Sequence, residues 1–164
     1  MPASERWSVV SPESPVTVRT LPSDDPALRP DSPFLEFLLS IGADEFRVSV
    51  LARGDGGRAD ARRLAGRLAF AALQPREREA TVTYGGQRNL RPLEVWRLDS
   101  TSLPVLHEVL AADPGRTAAW AEDLCVYRAG ALLFGTVTHE QYAFVRLSDA
   151  EWAAWEAHAH RRAT

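Results

Sequence analysis

Residues 124–152 read LCVYRAGALLFGTVTHEQYAFVRLSDAEW, three apolar runs divided by two short turns and closed by a helix start. The runs extend from Leu124 to Arg128, from Ala131 to Thr138 and from Tyr142 to Leu147, with turns at Ala129-Gly130 and at His139-Glu140-Gln141. Runs of this length, rich in branched and aromatic residues and separated by two or three residues, predict a three-stranded antiparallel meander. The helix that follows has a reciprocal start signal. Ser148 and Glu151 have capping-box spacing, and Leu147 and Trp152 are placed as a hydrophobic staple. Trp152, Trp155 and Ala159 then share a face, while His158, Arg161 and Arg162 fall where positive charge favours a helix C-terminus.

Upstream of the meander, Ser102 can cap a helix carrying Pro104 in its first turn, with Leu103, Leu106 and Leu110 inward and a stop at Asp113-Pro114-Gly115. A short helical piece is expected around Ala118 to Ala121. Two strands, Ala80 to Tyr84 and Leu93 to Leu98, flank the turn-rich Gly85-Gly86-Gln87-Arg88-Asn89 and suit a hairpin. Residues 45 to 52 alternate as another strand. Gly54-Asp55-Gly56-Gly57 then breaks the chain before an amphipathic helix from about Arg58 to Leu73, with Ala61, Leu64, Leu68 and Ala72 on its inner face. An earlier helix starts at Asp31 or Ser32, takes Pro33 into its first turn and stops at Gly42.

From residue 45 onward the order is β-α-β-β-α-β, then two strands and a helix. It predicts an α+β fold: a largely antiparallel sheet with helices packed on one face, ending in the meander and its capped helix. The split βαβ sandwich is one arrangement of the first six elements, but spacing does not set strand order. Seven of the eleven prolines lie in the first 33 residues. Since Pro lacks an N–H and restricts its predecessor, residues 1–30 are read as an extended proline-rich segment, in which Val16-Thr17-Val18 can add an edge strand, and residues 31–164 as a single α+β domain.

Composition narrows the chemistry. With 164 residues, 45% hydrophobic and 25% charged, the chain has the balance of a globular domain able to bury roughly 70% of its unfolded surface. All 19 basic residues are Arg. Together with a single Ile, a single Asn and many Ala, this looks like a high-GC coding bias, which weakens any functional argument from arginine number. The missing Lys does exclude Schiff-base chemistry, a lysine base and a P-loop lysine. The lone Cys125 cannot form an internal disulfide, no basic start and apolar run mark a signal peptide, and no 18-residue apolar run is present. A cytoplasmic chain with no membrane span is the expectation.

Several constellations deserve weighing against their structural roles. The glycine segment at 54–57 sits between strand and helix, where Arg58 and Arg62 could join backbone N–H groups around an anion. It matches neither dinucleotide nor Walker spacing, and Asp55 brings negative charge into it. His139 and Glu140 in a tight turn, with Tyr142 beside them, are the candidate base, orienter and donor of a small enzyme or ligand-binding site. Turns favour polar residues anyway, and the group has no nucleophile or metal partner. His158 and His160 at i, i+2 do not face each other on a helix, so no metal site is assigned. No cofactor is assigned either, and Cys125 reads as a buried structural thiol.

Arg58, Arg62, Arg63 and Arg67 form the candidate partner-binding face, joined by Trp120, whose helix is short and is followed by Glu122 and Asp123. The net charge of −3 argues against a nucleic-acid role for that face. The function expected is therefore a non-catalytic interaction or accessory protein, of inhibitor, immunity or chaperone-like type, with the enzyme at the His139-Glu140 turn as the alternative.

Overall fold

A computed structural model describes residues 16–22, 24–28, 32–50, 54–73, 95–111, 121–137 and 140–163. Within them lies a six-stranded, wholly antiparallel sheet made of β1 (Val16–Pro22), β2 (Glu45–Val50), β3 (Trp96–Arg97), β4 (Ala121–Arg128), β5 (Ala131–Val137) and β6 (Tyr142–Ser148). The strand order is β1-β6-β5-β4-β2-β3. Four helices accompany it: α1 (Phe34–Ser40), α2 (Gly54–Arg67), α3 (Leu103–Ala111) and α4 (Asp149–Ala163). The fold is α+β as expected, with the meander β4-β5-β6 leading into α4.

Alternation along the strands explains why the helices collect on one side. Phe46, Val48, Leu124, Val126, Phe134, Ala143, Val145 and Leu147 share one core with Phe34 and Phe37 of α1, Leu64 of α2 and Leu68 just after it, Leu106 of α3 and Trp155 of α4. Their neighbours in sequence point the other way, since successive side chains of a strand alternate between faces. There Cys125, Tyr127 and Leu132 form a smaller cluster with Val95. Trp155 meets Phe34 edge-on at 4.8 Å and Phe37 at 5.6 Å, so the aromatic face of α4 locks onto α1 beneath the sheet.

Two irregularities shape β4. Its pairing with β2 shifts between Arg47 and Ser49, and the extra residues include Asp123, which has φ +48. The Leu124 N–H at this bulge is taken by the Thr136 hydroxyl of β5 at 2.8 Å, so a donor displaced from the regular ladder still has a partner. The β4–β5 turn is a two-residue hairpin, Ala129 and Gly130 both having positive φ, between paired Arg128 and Ala131. The Asp44 carboxylate accepts the Ala129 N–H at 3.2 Å and fixes the turn against the start of β2.

Local signals meet different fates. The capping box forms: Ser148 Oγ accepts the Glu151 N–H at 3.2 Å while Glu151 Oε2 accepts the Ser148 N–H at 2.8 Å. Ser32 Oγ accepts the Phe34 N–H at 3.2 Å, with Pro33 in the turn between. The expected edge strand at 16–18 is longer, because β1 pairs with β6 from Val16↔Ser148 to Pro22↔Tyr142. Pro22 stands at its end, where a missing donor costs least.

Three expectations are corrected. Helix α2 begins at Gly54 instead of near Arg58, so Gly54-Asp55-Gly56-Gly57 is its first turn and not a connector; the first four N–H groups of a helix lack partners in any case, which makes glycine tolerable there. The helix also ends earlier, at Arg67, with a 3₁₀ turn over Ala69–Ala71, and Ala72 bridges to Trp96 instead of lining the inner face. The Ser102 hydroxyl accepts the Asp99 N–H at 3.0 Å and donates to the Arg97 carbonyl at 2.7 Å, so it ties α3 back to β3. The expected strand at 80–84, its turn and the helical piece before Ala121 lie outside the described residues.

Candidate protein-binding surface

The hydrophobic period of α2 decides which of its residues meet solvent. Leu64 and Leu68 are buried in the core, whereas Arg62, Arg63 and Arg67 are exposed. Arg58 lies in the first turns of the same helix, and its side chain is outside the described residues. Arg67 is held in place by a fork, Nη1 and Nη2 donating to the two Glu108 oxygens of α3 at 2.6 and 2.9 Å. That hydrogen-bonded fork raises the Arg67 pKa and holds the Glu108 carboxyl below its usual range. Of the predicted partner-binding arginines, Arg67 is therefore a stitch between two helices, while Arg62 and Arg63 present their side chains outward.

One residue of this surface was missed by the sequence reading. Phe70, in the 3₁₀ turn after α2, is 52% exposed. It follows Arg67 by three residues, past the end of α2, in the turn whose next residue, Ala71, is buried. A further arginine meets the phenylalanine from another element: Arg97 of β3 donates from Nη2 to the Phe70 carbonyl at 3.4 Å and from Nε to Asp99 Oδ2 at 2.7 Å. Asp99 in turn accepts the Thr101 hydroxyl at 2.6 Å and the Ser102 N–H at 2.9 Å. The Thr101 hydroxyl, followed by Arg97, keeps the Asp99 carboxyl far below the usual carboxylate range. The backbone of this exposed phenylalanine is thus tied to β3 by the Arg97 guanidinium.

The remaining predicted residues do not join it. His139 and Trp120 lie outside the described residues. Glu140 is exposed in the β5–β6 turn, and Tyr142 is half-buried at the start of β6, paired with Val137 on one side and Pro22 on the other. Cys125 is buried within β4, its Sγ 3.7 Å from the Asp123 carbonyl. His160 Nδ1 is 2.7 Å from the Glu156 carbonyl, and the His158 ring is 6.1 Å from that of Trp155. Among the described residues no three of His, Cys, Asp and Glu are grouped to hold a metal ion, and no helix is long and apolar enough to cross a membrane.

Comparison with protein families, with curated proteins and with solved structures finds no match to this chain.

Proposed function

We propose that this chain is a cytoplasmic, non-catalytic accessory domain that binds another protein through the outer face of α2, in an inhibitor, immunity or chaperone-like role. The supporting observation is Phe70, an aromatic residue 52% exposed in the 3₁₀ turn that follows α2 and its exposed arginines. Aromatic and Arg side chains dominate binding energy at protein interfaces, and an apolar ring within a polar rim is the arrangement that excludes water from them. A solvated helix face has no need of a phenyl ring.

The partner fitted to this face offers a pocket for the ring and a polar rim around it. Size-exclusion chromatography of the native extract tests this. The chain is expected to elute in a stoichiometric complex, and Phe70→Glu is expected to release it as a folded monomer with an unchanged far-ultraviolet spectrum. Elution of the wild type as a monomer, or a complex indifferent to Phe70→Glu, would overturn the assignment.

A further inference from the structure

At the opposite end of the sheet from α2, β1 is paired with β6 on one side and has no strand on its other side among the described residues. Its seven residues are in register with β6 over their whole length, so no bulge interrupts the edge. Val16 and Val18 are 54% and 61% exposed and lie on the sheet face away from the helices, next to half-buried Phe144. On the helix side Arg19 is 40% exposed, its guanidinium 4.6 Å from the Trp152 ring and 3.7 Å from Asp149. Arg146, the cross-strand partner of Val18, lies over Phe144 at 5.7 Å.

We propose that the outer edge of β1 receives an extended segment of a different polypeptide, added as a further antiparallel strand, with apolar residues beside Val16 and Val18 and an acidic residue opposite Arg19. Main-chain hydrogen bonds supply the affinity of such strand addition, and alternate side chains supply its selectivity. The charges decide what that selectivity is. Arg19 and Arg146 flank the middle of the edge from its two faces; Asp149, between Thr17 and Arg19, offsets one of these two positive charges, and Asp24 and Asp25 follow Pro22 at the far end. The complementary strand is therefore acidic at its centre and not along its length.

The same residue disfavours a second copy as the occupant. Arg19 is the middle residue of the seven, so the two-fold register that pairs the whole strand with itself sets Arg19 opposite Arg19, and like charges directly opposite destabilise a strand pair. A foreign segment with a central carboxylate replaces that repulsion by attraction.

The test uses the full chain and two labelled, end-blocked heptapeptides, Val-Thr-Val-Glu-Val-Thr-Val and the same peptide with a central Arg. Fluorescence anisotropy is expected to give at least about fivefold tighter binding of the Glu peptide, the difference between an attractive and a repulsive cross-strand pair. Amide shifts are expected at Val16, Val18 and Thr20, and Arg19→Glu is expected to invert the preference. Should Arg19→Glu fold poorly, Val18→Lys, at an exposed position, must weaken the Glu peptide about fivefold. Equal affinity for both peptides, shifts centred on α2 instead of β1, or dimerisation of the chain through β1 would overturn the proposal. Because α2 lies at the other end of the sheet, a failure of strand addition at β1 leaves the role assigned to Phe70 untouched.

Discussion

Arg128 at the end of β4 donates from Nη1 to Glu151 Oε1 at 2.5 Å and to the Ile41 carbonyl at 3.3 Å. One guanidinium thus joins the first turn of α4 to the C-terminal end of α1, at the corner where the meander folds back. The other Glu151 oxygen accepts the Ser148 N–H and hydroxyl, so a single buried carboxylate serves both as helix cap and as counter-ion. Removing Glu151 leaves the half-buried Arg128 guanidinium without its counter-ion. Glu151→Ala is expected to cost about 2–3 kcal/mol in urea unfolding, reduced from the range for fully buried pairs because Arg128 is partly exposed. A double-mutant cycle with Arg128→Ala should show coupling of about 1 kcal/mol or more; additive losses would mean that the pair contributes nothing jointly.

The pH dependence follows from the same site. Burial opposes ionisation of Glu151, but the bonds from Arg128 and Ser148 outweigh it and hold the carboxyl below its usual range. A group whose pKa is lower folded than unfolded contributes stability above its unfolded pKa and loses that contribution as pH falls through the folded one. The wild type is therefore expected to lose stability below about pH 5, where unfolded carboxylates begin to protonate. Glu151→Gln should be less stable at neutral pH and show a shallower acid limb. Parallel limbs for the two proteins would assign the acid sensitivity elsewhere, Asp99 being the next group with a strongly lowered pKa.

Ala129 adopts φ +49 in the β4–β5 turn, a conformation that costs an L-residue with no side-chain compensation roughly 1 kcal/mol. Its side chain is exposed and followed by Gly130. Ala129→Asn creates the Asn-Gly pair that two-residue hairpins prefer, and thermal unfolding should show a gain of about 0.5–1 kcal/mol. A loss of stability would indicate that the Asp44 bond to the Ala129 N–H had been displaced by the new side chain.

Leu68 and Phe70, two residues apart, should respond in opposite ways to truncation. Leu68→Ala empties a fully buried site and is expected to cost about 2–4 kcal/mol. Phe70→Ser should stay within about 0.5 kcal/mol of the wild type, as expected for an exposed ring away from the core. Chemical denaturation of both variants checks the contrast; a large loss at Phe70 would make it a packing residue and remove the basis for a binding role.

Much of the helical start and stop chemistry was legible because it acts over three or four residues. Ser148 and Glu151 are close on any helix that begins there, so their reciprocal bonds follow from spacing alone. The surface of α2 was half legible: the period identified Arg62 and Arg63 as outward, yet Phe70 was not singled out, because it lies in a 3₁₀ turn where a continuing helix was expected. Arg67 appeared available for a partner only because Glu108, on a different helix, has no local relation to it.

What the sequence alone determined is the set of elements: a meander from alternation and turn residues, a capped terminal helix, and one apolar face on each helix. What tertiary structure decided is their adjacency. β1 lies beside β6, more than a hundred residues later, because Leu21 opposite Ala143 joins a core that only the assembled sheet creates. Among the described residues that placement leaves β1 as an edge with Val16 and Val18 facing outward and Arg19 at its middle. Backbone hydrogen bonding is the same for every residue type, so the partner of a strand is chosen by the burial and charge of side chains distant in sequence, and those meet only in the fold.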